Sequence, residues 1–272
     1  MLVAFLILLR EGLEAALIVG IAAGYLHRTG RSEQMPLVWI GTACAALLCL
    51  GLGLSLDLLS LEFPQRQQEL FESAIGLLAA GMLTGMAFWM RRAARSMSHD
   101  LRGRMEAAAG SGVALIALVF LAVAREGVEA VVFLLALMQQ GTGWAVPVGG
   151  LLGLAVAAVA GVLIAWGGMR LNYGRFFRWT GVVLLFAAAG LAAGALRALH
   201  EAGLWNQLQQ LAFDLSNVLP EDGILGSVLA GLFGYAARPS IGEVMLYLAF
   251  LGVLLPVFLS SPRQPAAMAG GR

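Results

Sequence analysis

Apolar runs of roughly 20 residues constrain this chain most, because that is the length a helix needs to cross the hydrocarbon core of a bilayer. Seven such runs stand at about 2–25, 37–58, 70–90, 111–138, 145–167, 179–199 and 242–260. Of the 272 residues, 60% are hydrophobic and 12% charged, against about 25% charged in an ordinary soluble domain. The 35 glycines suit membrane helices, where a missing side chain lets backbones approach closely. The expectation is an all-α membrane protein with seven transmembrane helices in a single domain over residues 1–260. Residues 2–9 are read as the first half of a span rather than a signal-peptide core. No basic residue precedes them and no small-residue cleavage site follows.

The loops predict orientation. Arg28 and Arg31, then Arg91, Arg92, Arg95, Arg102 and Arg104, then Arg170, Arg175 and Arg178, and finally Arg263 and Arg272 lie in alternate connections or in the tail. The positive-inside rule makes their side cytoplasmic. The other side carries Arg66, Arg197 and Arg238 but is rich in acids: Asp57, Glu62, Glu69, Asp214, Glu221 and Asp222. The expected topology is multi-pass in the plasma (inner) membrane, N-terminus outside and C-terminus cytoplasmic. The net charge of +1 gives no field for nucleic acid, so no nucleic-acid partner is expected.

The longest external connection, about 201–240, reads as an amphipathic segment. Leu204, Leu208, Leu211, Leu215 and Leu219 recur at helical spacing, which predicts a helix lying on the outer surface. Residues 224–236 are apolar but too short to span, and read as interfacial or re-entrant. The tail at 261–272 reads as disordered. Cys44 and Cys49 read as small core residues rather than a redox or metal pair, since their spacing is not that of a CxxC motif.

An internal repeat organises the rest. Residues 10–15 are Arg-Glu-Gly-Leu-Glu-Ala and residues 125–130 are Arg-Glu-Gly-Val-Glu-Ala. Phe5-Leu6 and Phe120-Leu121 match at the same offset. A unit of three spans is odd in number, so the second copy enters from the opposite side. Repeat one (about 1–90) and repeat two (about 111–200) are therefore expected to be inverted, with the seventh span (about 242–260) outside them. Transporters built this way place their site near the midplane at the repeat interface. At 1.5 Å per residue, Arg10 lies about 15 Å and Arg125 about 20 Å from the start of its span.

The motif itself carries the chemistry. Glu11 and Glu14 share a helix face at i,i+3, as do Glu126 and Glu129. Arg10–Glu14 and Arg125–Glu129 can pair at i,i+4. Gly12 and Gly127 remove a side chain between the carboxylates, so a backbone or an ion can come close. An ionisable group near the bilayer centre costs about 2.5–3.5 kcal/mol on insertion scales. Two structural Arg–Glu pairs would balance their charges. Here two carboxylates remain beyond the two arginines, a net −2 if all ionise, and such a site calls for a cation. Carboxylate oxygens favour hard cations, and neither motif holds Cys or His.

Other ionisable residues are secondary. Glu69 and Glu72 repeat the i,i+3 spacing at the outer start of the third span, and His200-Glu201 stands at the outer end of the sixth. Either a mouth site for the cation or solvated, capping helix ends fits them. Glu243 reads as a first-turn acid favoured by the helix dipole. Met82, Met86 and Met90 read as packing.

These residues resemble the high-affinity iron permease family, which includes fungal ferric permeases and bacterial EfeU-type subunits. The mark of that family is REGLE in the first and fourth spans, standing here as Arg10-Glu11-Gly12-Leu13-Glu14 and, with Val for Leu, as Arg125-Glu126-Gly127-Val128-Glu129. The seven-span layout, Glu69-x-x-Glu72, His200-Glu201-Ala202-Gly203, and the stretch from Gly234-Tyr235 to Pro239-Ser240 also resemble bacterial members. The resemblance implies iron uptake, with iron as transported substrate and no permanent cofactor. It further implies an extracellular or periplasmic iron-delivery or oxidase partner; an oligomer is open. From the residues alone, a carrier of another hard or divalent cation such as Mn²⁺ or Pb²⁺ stays open. So does an intramembrane enzyme using paired carboxylates, although no Ser, Cys or His stands beside the motif acids.

Overall fold

The computed structural model describes residues 1–61, 63–93, 111–139, 144–165, 173–221 and 223–260. They form α1 (Leu2–Arg28), α2 (Met35–Leu61), α3 (Gln65–Ala93), α4 (Gly112–Gln139), α5 (Ala145–Ala165), α6 (Tyr173–Glu201), α7 (Ile224–Phe233) and α8 (Ile241–Leu259). No β-strand occurs among the described residues. The seven long helices fall on the seven apolar runs, and α1, α2, α3 and α6 extend beyond them by a few residues. The tail at 261–272 lies outside the described residues.

α2, α3, α5, α6 and α8 are long and apolar enough to cross a membrane. α1 and α4, at 27 and 28 residues, are equally long. They are set apart by the Arg-Glu-x-x-Glu charges at their middles. The chain is a multi-pass membrane protein. Broad apolar surfaces face outward, as at Leu47, Leu54 and Leu58 of α2, Leu151 and Val159 of α5, and Leu248 and Val253 of α8. In lipid such faces need no further cover.

Two ends of the bundle can be told apart. The start of α1, the end of α2, the start of α3, the end of α4, the start of α5, the end of α6 and the start of α8 lie at one end, here the acidic face. The opposite ends of the helices form the arginine face. Cross-contacts fit this assignment: Gly149 at the start of α5 meets the Met1 carbonyl, and Gly181 near the start of α6 meets the Phe258 ring near the end of α8.

The main helix pairings are α1 with α5, α2 with α4, and α3 with α6, joined by α1 against α4 and α6 against α8. Small residues set their closeness. A methyl group at Gly149 or Gly153 would overlap the Met1 or Phe5 carbonyl of α1, and one at Gly41 would stand 2.8 Å from the Ile116 carbonyl of α4. Gly76 packs on Ala195 and Leu191 in the α3–α6 contact. Between the pairs, one apolar core gathers Ile7 and Leu8 of α1, Leu83 of α3, Phe133 and Leu137 of α4, and Leu184 and Leu191 of α6. The Gly20, Gly24, Gly81 and Gly85 positions meet nothing else in the described chain.

The segment after α6 departs from expectation. The leucine stripe from Leu204 to Leu219 is not a helix. Gly203, at φ +72°, stops α6, with Leu204 N donating back to the Leu199 carbonyl. The chain then runs as an extended strap beside residues 237–242. Ala212 N donates to Pro239 O, Leu215 N to Ala237 O, Ile241 N to Gln210 O, and Gly242 N to Leu208 O. A helix would leave those partners across the strap unmatched, and Leu208 at φ 60° is incompatible with one. Leu204, Leu208, Leu211 and Leu215 are exposed, so the segment keeps its apolar surface without helical form. Both the hydroxyl and the backbone N of Ser216 donate to Asp214, holding that carboxyl below its ordinary range, and Arg238 pairs with it at 3.2 Å.

α7 is ten residues long, about 15 Å at 1.5 Å per residue, too short to span. Its C-terminal Gly234, at φ +64°, packs backbone to backbone on Gly190 of α6. Phe233 meets the Phe186 ring edge-on at 5.2 Å. Gly190 lies about three turns in from Glu201, so α7 packs against α6 well inside that helix's C-terminal end. α8 opens at a capping box, in which Ser240 accepts from Glu243 N while Glu243 accepts from Ser240 N.

Candidate functional site

α1 and α4 cross near their middles and bring the two motifs together. One carboxylate oxygen from each of Glu11, Glu126 and Glu129 lies within 4.8 Å of the others, a spacing that could hold a metal ion. Two helices supply them, and Gly12 and Gly127 face other neighbours. Gly12 packs on Ala157 of α5 and Gly127 on Cys49 of α2, each too close for a further methyl. The expected residues thus meet, with one division of labour. Glu14 stands outside the three-oxygen group, 3.4 Å from Arg10 Nε, and both side chains are 2% exposed.

The electrostatics are one-sided. Both oxygens of Glu11 and Oε2 of Glu126 are buried and accept no hydrogen bond. A buried carboxylate oxygen without a donor is costly. A cation held among the three acids would satisfy these oxygens together, using ligands of the hard type. Arg125 reaches Glu129 at 3.2 Å and Glu126 at 4.0 Å, and its own side chain is 61% exposed. Its guanidinium lies 5.5 Å from the centre of the Trp89 ring of α3.

A second acidic group stands at the acidic face. Glu69 lies against Glu201 across the α3–α6 contact, and Glu72 faces both together with Arg197. The sequence pairs Glu69-x-x-Glu72 and His200-Glu201 therefore converge from two helices. Their oxygens do not join the group formed by Glu11, Glu126 and Glu129. His200 Nε2 is buried without a hydrogen-bond partner. Beside them Arg197 pairs with Glu243 at 2.5 Å, tying α6 to α8. The first-turn acid at Glu243 is thus also an ion-pair partner. Sequence reasoning missed this link; the only signal was that both residues sit one turn inside apolar runs.

Cys49 is buried, as a core residue should be, and its Sγ lies 3.7 Å from the Ala124 carbonyl. Cys44 is exposed on α2 and so faces outward rather than into the core. Met82 and Met86 pack in or against the core.

With this geometry in view, relatives are informative. The sequence pattern of the Iron permease FTR1 family matches residues 1–260. The chain belongs to that family. A protein of Yersinia pestis named ferrous iron permease EfeU is 50% identical over 273 residues, covering 99% of this chain and 97% of its own length. Proteins of the same name from Escherichia coli O6:K15:H31 and Shigella sonnei are each 50% identical over 270 residues, covering 98% of both chains. These family relatives are named permeases, not enzymes. No solved structure matches the chain.

Proposed function

We propose that this iron permease imports iron across the plasma membrane through one midplane site, shared by the two Arg-Glu-Gly-x-Glu motifs. The observation that carries the reading is the convergence of Glu11, Glu126 and Glu129 from two helices, with oxygens within 4.8 Å and no donor on Glu11. Glu14 completes the acidic set one turn on, tempered by Arg10, and Arg125 tempers Glu126 and Glu129 from the other side. Gly12 and Gly127 let α5 and α2 close on the backs of the two motif helices. The proposed cargo is iron itself, with no resident cofactor.

The pairing of the helices supports the inverted-repeat reading. Exchange α1 with α4 and α2 with α5, and the α1–α5 contact becomes the α4–α2 contact, while α3–α6 and α1–α4 map onto themselves. Contacts follow the same exchange: Gly149 on Met1 matches Gly41 on Ile116, and Gly12 on Ala157 matches Gly127 on Cys49. Ala79-Ala80-Gly81 with Gly85 in α3 likewise matches Ala188-Ala189-Gly190 with Gly194 in α6. Seven spans with the acidic face outside then place the arginine face in the cytoplasm. A membrane potential supplies about 2.3 kcal/mol per charge per 100 mV for inward cation movement.

Glu69, Glu72, His200 and Glu201 are the proposed mouth of the path, where fixed negative charge raises local cation concentration. An extracellular or periplasmic protein that delivers or oxidises iron would dock on this face. The test is iron uptake by the purified chain in liposomes, run against Mn²⁺ and Pb²⁺. Uptake of iron in preference to the other ions, lost in Glu11→Ala and in Glu126→Ala, is expected. Near-normal uptake in both variants would falsify the shared site, and preference for another ion would replace iron as the cargo.

A further inference from the structure

The two motifs have the same sequence pattern and different surroundings. Arg10 is 1% exposed and its partner Glu14 is 2% exposed. Arg125 is 61% exposed and bridges Glu126, Glu129 and the Trp89 ring. Trp89 lies about one turn before the described end of α3 at Ala93, so it stands on the arginine-face side of the motif. When α3 and α6 are aligned on their shared Ala-Ala-Gly stretch, the residue of α6 matching Trp89 is Ala198, which is buried. The aromatic ring is therefore a feature of one repeat only.

This inference rests on the proposed cation site. We infer that Trp89 is a positioning residue for Arg125, its ring holding the guanidinium off the shared carboxylates so that Glu126 and Glu129 remain available to the cation. The reason is competition. Arg125 is the internal rival of any cation for those two acids, and a guanidinium does not lose its charge at any ordinary pH. Only a movement clears it. An aromatic face accepts a guanidinium without offering the incoming metal a competing anion. Arg125 already spans both positions, with Nε on Glu129 and the guanidinium carbon over the ring. Arrival of the cation moves the balance toward Trp89; departure toward the arginine face lets Arg125 return to Glu129. Arg10, enclosed and held on Glu14, stays in place through the same cycle.

The test is a titration of the full-length detergent-solubilised protein with Fe²⁺ under anaerobic conditions, paired with uptake in liposomes. Trp89→Leu should raise the half-saturating iron concentration about three- to tenfold, the range of a partly desolvated cation–π contact. Trp89→Phe, which keeps a ring face, should restore most of it. If Trp89→Leu fails to insert, Trp89→Met fills similar space without a ring and carries the same reading. The decisive arm is Arg125→Gln, in which adding Trp89→Leu should change nothing. An unchanged half-saturation in Trp89→Leu overturns the inference. So does an equal rise with and without Arg125, since Trp89 would then act through packing alone. Failure of the cation site itself shows separately, as wild-type protein that binds no iron.

Discussion

The first motif is enclosed and the second is open, although the two differ at only one position in six. Around Arg10, Glu11 and Glu14 the helices close on every side. Around Arg125 and Glu129 they leave the arginine side chain 61% exposed. A helix pair built from identical repeats would treat both alike. What differs is the supporting residue: Cys49 of α2 and Trp89 of α3 stand by the second motif, and Ala157 of α5 by the first. The comparison teaches that one motif can be set in two environments, because the helices packed around it, and not its own six residues, decide how enclosed it is.

The largest expected effect tests what the motifs share. Glu11→Ala and Glu126→Ala should each reduce uptake to the background of empty liposomes while the protein still inserts. A variant of one motif that keeps half the uptake would split the pair into independent sites.

Next come the arginines, where the motifs should differ. Arg10→Ala leaves Glu14 buried and unpaired, a loss of about 3–5 kcal/mol for a broken buried pair. Arg125→Ala removes an open guanidinium but leaves Glu126 and Glu129 without their cation, so its loss should be smaller, about 1–3 kcal/mol. Thermal unfolding of the two purified variants checks this; equal losses would remove the asymmetry. Arg10→Lys keeps the charge without the planar fork, and should impair uptake less than Arg10→Ala without restoring it fully.

The glycines sharpen the comparison further. Gly127→Ala drives a methyl into Cys49 Sγ, and Gly12→Ala into the Ala157 Cβ. Each overpacking should cost about 1–3 kcal/mol. Cys49→Ala should relieve Gly127→Ala, and Ala157→Gly should relieve Gly12→Ala, both read as recovered melting temperature. Failure of either rescue would mean that the helix contact is not what the glycine serves.

The smallest effect belongs to the acidic face. Glu69→Gln with Glu72→Gln should weaken uptake chiefly at low iron and recover at saturation, because that pair concentrates cations without being the selective site. A fall in maximal rate with unchanged half-saturation would move Glu72 into the transport path.

Run length and the doubled motif made most of this legible in the sequence. Spans of about 20 apolar residues must be helices in lipid, because their backbone groups have no other partner. A different rule, leucine spacing, failed at Leu204–Leu219, where no apolar run forces a helix. There the leucine period matched a helix, yet Gly203 and the backbone partners at 237–242 decided otherwise. The meeting of the motif acids was legible because charges within an apolar run need a partner or a purpose. Their asymmetry was not, since the two hexapeptides carry no trace of what Trp89, Cys49 or Ala157 would set beside them. Nor was the Arg197–Glu243 link, whose members are 46 residues apart.

The central claim is a single cation site built from both motifs, and iron stoichiometry in the purified protein tests it most directly. Equilibrium dialysis with Fe²⁺, followed by metal analysis, should give one tightly bound iron per chain for wild type. It should give none for Glu11→Ala and none for Glu126→Ala. Two irons in wild type, with one retained in each variant, would contradict the shared site and leave the motifs as separate ligands on separate helices.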